Sequence, residues 1–257
     1  MKRLVFGIGT GRCGTYSLAK LLDAQAGVKC LHEYNFCSWE YREEDCLRNL
    51  DYLLSQPEDV VGDVGFYYLN YVEHIIKLHP NSKFVVLWRP KEEVVRSWNV
   101  HSGGMNHWTD SGSDFFRGWK ESNNSKYFPK YDLPKLDAIA QYHDDYYSEV
   151  KILIAEYPSH IRMWHMDSVL NEREGRKELF SFLGIEGNIG GEYKYNAQGT
   201  KFIEHEPMPY KLGACEFCKT EDSAEWYIIN KRNDMYSYSC NECKVNKKLG
   251  AYNKEDV

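Results

Sequence analysis

The sequence has no run approaching the roughly 20 apolar residues of a membrane-spanning helix, so a chain built around helical spans is excluded. It has no excess of positive charge: 32 Lys and Arg stand against 38 Asp and Glu, a formal charge of −6. Net charge therefore gives no general attraction to a nucleic-acid backbone. No internal repeat is present. The opening residues, "MKRLVFGIGT", reach glycines too soon for the apolar stretch of a signal peptide. A soluble, cytoplasmic protein is expected. The most informative absence is a single lysine. Gly9 and Gly14 have the spacing of a nucleoside-triphosphate phosphate loop, but Thr15 occupies the position where that loop needs its lysine.

What is present suits a packed protein. The 257 residues allow one large α/β domain with a small appendage. Apolar residues make up 42% and aromatics 15%, with 20 tyrosines and 7 tryptophans, so a core is readily built. "RLVFGI" (3–8) reads as a buried strand, followed by a helix from about Thr15 with Leu18, Leu21 and Leu22 on one face. "VKCLHE" (28–33) reads as a second strand, 43–54 as a helix and 59–69 as a strand or strand edge. A helix over about 70–79, a strand at 83–90 and a helix over 91–100 follow. Residues 134–156 read as helix, 160–166 as strand, and 172–185 as a helix ending at Gly184. Strands alternating with helices imply a mostly parallel central sheet flanked by helices. Between them, 101–133 is rich in Gly, Ser, Asn and aromatics, the texture of a lid or binding loop.

The cysteines fall into two sets. Cys13, Cys30, Cys37 and Cys46 are scattered. Cys215, Cys218, Cys240 and Cys243 form C-x2-C-x21-C-x2-C, flanking two strand-like runs, "AEWYIIN" and "MYSYSC". Two such knuckles present four thiolates to one tetrahedral Zn²⁺. A structural zinc ribbon over 211–257 is expected, following an α/β domain over 1–210. Two disulfides are the alternative. Acids and bases balance in this tail, so it does not demand nucleic acid; a protein partner is compatible with it.

The loop "GIGTGRCGTYSLAKLL" (7–22) admits more than one ligand. Gly9, Gly11 and Gly14 make G-x-G-x-x-G, and Glu33 stands about 20 residues on, where a dinucleotide site places an acid for the ribose. Arg12 inside the turn and the hydroxyls of Thr15, Tyr16 and Ser17 fit a dinucleotide poorly.

The run Arg12-Cys13-Gly14-Thr15-Tyr16-Ser17-Leu18 resembles the 5′-phosphosulfate loop of sulfotransferases that use 3′-phosphoadenosine 5′-phosphosulfate (PAPS). In that family a strand ends in Arg, and a Ser follows eight residues later on the next helix. "VVLWRPKEEVVRSW" supplies Arg89 and Ser97 at that spacing. A weaker match is "DSVLNEREGRKELFSFLGI" (167–185). The resemblance spans about residues 1–205 and does not reach the cysteine-rich tail. It implies a P-loop-like sulfotransferase fold, with Arg12, Cys13, Gly14, Thr15, Tyr16 and Ser17 at the 5′-phosphate and Arg89 with Ser97 at the 3′-phosphate. Cys13 and Tyr16 depart from the usual Ser and Thr. Lys201 is a possible substitute for the family's nucleotide-closing loop. In that reading Arg12 would be the catalytic cation, and Glu33 and Asp63 are rival candidates for the base, with His32 and His101 behind them. The product would be 3′-phosphoadenosine 5′-phosphate, and the acceptor a carbohydrate, lipid, small molecule or peptide. A nucleotide kinase, an NAD-binding oxidoreductase and a non-catalytic zinc-ribbon adaptor are the competing readings.

Overall fold

A computed structural model describes residues 2–102, 106–108, 127–188, 235–236 and 252–253. The chain divides into two units: Met1–Trp98 with His107–Gln198, and Asn99–Asn106 with Gly199–Val257. The first unit is a five-stranded, wholly parallel sheet in the order β2-β3-β1-β4-β5. Its strands are β1 (Arg3–Ile8), β2 (Val28–His32), β3 (Val60–Val64), β4 (Lys83–Trp88) and β5 (Ile161–His165). The central strands are continuous apolar runs, "RLVFGI" and "KFVVLW". Strands covered on both faces need that composition.

Alternate residues of each strand feed opposite cores. Leu4, Phe6 and Ile8 of β1 and Phe84 and Val86 of β4 belong to one core. It also takes side chains from α2 (Glu43–Ser55), α3 (Val72–Leu78) and α5 (Lys135–Glu156). Val5 of β1 and Val85 and Leu87 of β4 belong to the other. That side is closed by α1 (Thr15–Asp23), α6 (Met166–Asn171) and α7 (Arg173–Leu183). The period of two within a strand thus produces a three-layer α/β/α unit. A further helix, α4 (Lys91–Ser102), starts just after β4.

Between residues 3 and 185 the expected strands and helices are present, with boundaries shifted by a few residues. Two features differ from expectation. The strand of 59–69 stops at Val64, and Phe66–Tyr71 forms a 3₁₀ turn. A strand there would send alternate side chains to opposite cores, whereas Phe66, Tyr67, Tyr68, Leu69 and Tyr71 all join the same one. The acidic segment after β5 contains the short α6, capped by the His165 ring, whose Nδ1 accepts from the Asp167 amide at 3.2 Å.

Of the segment 101–133, Trp108 and Phe128 are buried. Trp108 packs against Trp98, Phe128 and Tyr142 at ring separations of 5.0–5.5 Å. These aromatics build core. In the second unit, Met235–Tyr236 (β6) pairs antiparallel with Tyr252–Asn253 (β7). Residues 224–230, Lys201 and the four cysteines Cys215, Cys218, Cys240 and Cys243 lie outside the described residues. Among the described residues no helix is long and apolar enough to cross a membrane, and no cluster of three or more His, Cys, Asp or Glu could hold a metal.

Candidate functional site

The strand order fixes where a ligand belongs. From β1 the chain leaves through α1 towards β2, on one side. From β4, its neighbour, it leaves towards β5, on the other. Open α/β sheets bind ligands at such a divergence, beyond the carboxyl ends of the strands. The loop 9–14 leaves the end of β1 there, and Arg89 leaves the end of β4.

The loop is held from several directions. Tyr146 accepts a hydrogen bond from the Gly9 amide at 2.9 Å and donates to the Phe66 carbonyl at 2.9 Å. The Trp98 indole donates to the Thr10 carbonyl at 3.0 Å. A Cβ on Gly9 would lie 2.6 Å from Cys13 Sγ and 2.8 Å from the Leu87 carbonyl oxygen, so only glycine fits. Gly11 has φ 73, and a Cβ there would lie 2.7 Å from the Trp98 ring. Arg12 follows in the same left-handed region at φ 57, which a non-glycine residue adopts only when its surroundings impose it. Gly14 then opens α1. No side chain caps this helix, and its first turn holds no acid, so its positive end is not neutralised from within the helix.

The two motifs converge here. Arg12 Nε donates to Ser97 Oγ at 3.1 Å, and Arg89 Nη1 donates to the Arg12 carbonyl at 3.0 Å. Arg89 also pairs with Glu93 at 2.8 Å. Burial, then the neighbouring Arg89, lowers the Arg12 pKa, so the protein holds two cations close together in a partly desolvated place. That arrangement is costly by itself and favourable around a polyanion.

The remaining loop residues divide by exposure. Cys13 is fully buried, and burial pushes its thiol up to about 11, so it packs as an unreactive core residue. Thr15 and Ser17 are buried in the first turn of α1, and the Thr15 hydroxyl meets His32 Nε2 at 3.2 Å. Tyr16, the misfit of the sequence motif, sets its ring edge against His32 at 5.3 Å, with Lys20 Nζ 5.5 Å from its centre. Burial, helped by Lys20, pushes His32 down to about 4, so its ring is neutral at pH 7.

Glu33 follows β2 with φ 51; it and Arg12 are the non-glycine residues of positive φ among those described. Burial, then Asp63, raises its carboxyl to about 7, against the pull of Arg12. Asp63, on β3 between β2 and β1, is 1% exposed. Its oxygens accept from Tyr68 Oη at 2.9 Å, Tyr67 Oη at 3.2 Å and the amides of Val64 at 2.9 Å and Tyr34 at 3.3 Å. His101 is exposed in the last turn of α4. Sequence reasoning had no signal for the support from Tyr146 and Trp98, both distant in the chain.

The fold and site define an α/β domain with an arginine-bearing, glycine-rich loop at the carboxyl end of its parallel sheet. No family model matches the chain, and no curated protein matches it. Among solved structures it is similar to the sulfotransferase domain from the curacin biosynthetic pathway. The two share 12% identity over 73% of this chain and 76% of that one, with a TM-score of 0.49.

Proposed function

We propose that the protein is a sulfotransferase, moving a sulfuryl group from PAPS to a hydroxyl or amine of an acceptor. The observation that carries this reading is the meeting of Arg12 with Ser97 and Arg89, residues far apart in sequence, at an uncapped helix start. Two partly buried cations beside a helix N-terminus with no acid in its first turn suit a ligand with two separate phosphates.

The donor, when bound, supplies an activated sulfuryl group on a 5′-phosphate. The loop amides with Thr15 and Ser17 hold that phosphate, and Arg89 with Ser97 holds the 3′-phosphate. Arg12 would stabilise the charge that builds on the leaving phosphate as the sulfur–oxygen bond breaks. Glu33 takes the proton of the acceptor as its oxygen or nitrogen bonds to sulfur. A carboxyl near 7 is poised for that transfer, half ionised at neutral pH.

Calorimetry with 3′-phosphoadenosine 5′-phosphate, NAD and ATP tests the reading. The bisphosphate should bind, and Arg89→Ala should weaken it about 10- to 100-fold, as loss of a charge-assisted contact does. Adenosine 5′-phosphate should be much less affected by that change. Binding of NAD or ATP without the bisphosphate refutes the proposal.

A further inference from the structure

Asp63 matches a catalytic carboxylate by sequence, yet its surroundings give it another task. Asp63 accepts from four donors: the Tyr34 amide and the Tyr67 and Tyr68 hydroxyls converge on Oδ2, and the Val64 amide bonds Oδ1. Two are backbone amides, which can only donate. A third, Tyr68 Oη, itself accepts from Asn49 Nδ2 at 2.9 Å, so its proton points at Asp63. Burial pushes this carboxyl up, and the donor set opposes that push by favouring the ionised form. With the residue 1% exposed, an acceptor also has no open approach to it.

The same contacts lock Glu33. The Tyr34 amide bonds Asp63, and the Glu33 amide bonds the Val64 carbonyl at 3.0 Å, so both peptide N–H groups of this strained turn are stitched to the end of β3. The titratable groups facing Glu33 come from four elements. Arg12 comes from the loop, Asp63 from β3 and Tyr67 from the 3₁₀ turn. His32 precedes Glu33, its Nε2 4.0 Å from the carboxylate. His32 and Tyr67 are neutral at pH 7 and Arg12 is a cation, which leaves Asp63 as the second carboxyl facing Glu33.

We propose that Asp63 is a positioning residue: a buried carboxylate that fixes the Glu33 turn through its hydrogen bonds and sets a like charge beside the Glu33 carboxylate. This rests on Glu33 being the base, and its test is chosen to fail separately from that reading.

Carboxyl ¹³C NMR of the full chain, labelled at Asp and Glu, reads both groups directly and needs no acceptor. In the wild type the Glu33 resonance should titrate at about 7, while that of Asp63 stays ionised across the same range. In Asp63→Asn the Glu33 midpoint should move to lower pH by about half a unit to one unit, the effect of removing a nearby like charge. An unmoved Glu33 midpoint in a folded variant overturns the proposal. Should that variant not fold, the wild-type titration decides: an Asp63 that takes up the proton near neutrality overturns it. The base reading is tested apart, by transfer of labelled sulfate from PAPS to an acceptor pool. Glu33→Gln should abolish transfer. If it does not, Glu33 is not the base, the NMR coupling notwithstanding.

Discussion

Replacing Glu33 by glutamine should stabilise the protein at alkaline pH and leave it unchanged in acid. The native fold raises this carboxyl from an ordinary 4.5 to about 7. A rise of roughly 2.5 units is worth about 3 kcal/mol, at about 1.4 kcal/mol per unit. The side chain is 27% exposed, and contact with water reduces the figure to about 2 kcal/mol. The direction follows from proton counting. Below about 4.5 the group is protonated in both states, so it costs nothing. Between about 4.5 and about 7 the unfolded chain releases a proton that the native state keeps, so stability falls as pH rises. Above about 7 the full cost of a buried carboxylate is present. Glutamine fills the same space without the charge. Thermal unfolding at about pH 8 should therefore show Glu33→Gln melting roughly 4–8 °C above wild type, given the entropy of unfolding of a chain this size. At about pH 4 the two melts should coincide. An equal gain at both pH values would place its cause in packing rather than ionisation. A loss at alkaline pH would refute the reasoning outright.

Other expectations are as definite. Arg12→Ala should lower transfer of labelled sulfate to the acceptor pool by about 10²–10³-fold, the usual loss when a donor to developing charge is removed. Gly9→Ala forces a methyl against Cys13 Sγ and the Leu87 carbonyl; it should cost about 1–3 kcal/mol in urea unfolding. The cysteine pattern of the tail predicts about one zinc per chain by elemental analysis, lost in a Cys215→Ser, Cys240→Ser double variant.

The parts of the fold read from the sequence are those where one physical signal dominates. β1 and β4 are unbroken apolar runs, and in each the next residues are a glycine turn or Arg-Pro, so their ends are marked. α7 stops where Gly184 adopts φ 63. The 3₁₀ turn at Phe66 was not legible because aromatic residues favour strands until a core claims every ring. In the site, the spacing of Arg89 and Ser97 gave their proximity to the loop but not the bond from Arg12 to Ser97. Asp63 shows the limit most clearly. Its residue type and its place near the carboxyl end of β3 suit a base as well as those of Glu33, just after β2, do. The difference lies in Tyr34, Tyr67, Tyr68 and Val64, whose donors converge only in the folded chain. Tyr16 was legible as an oddity, and its packing on His32 supplies the reason.

The seating of Trp98 has a practical consequence. Its indole N–H is bonded to the Thr10 carbonyl at 3.0 Å, and its ring lies against Gly11, so a natural fluorophore is wired to the backbone of the loop. Any anion that draws the loop amides inward must alter the field and hydrogen bonding around that indole. Emission should shift or quench on titration with the bisphosphate. With 7 tryptophans in the chain, the difference between wild type and Trp98→Phe isolates its share. Occupancy of the site can thus be followed by light alone, before any acceptor has been found.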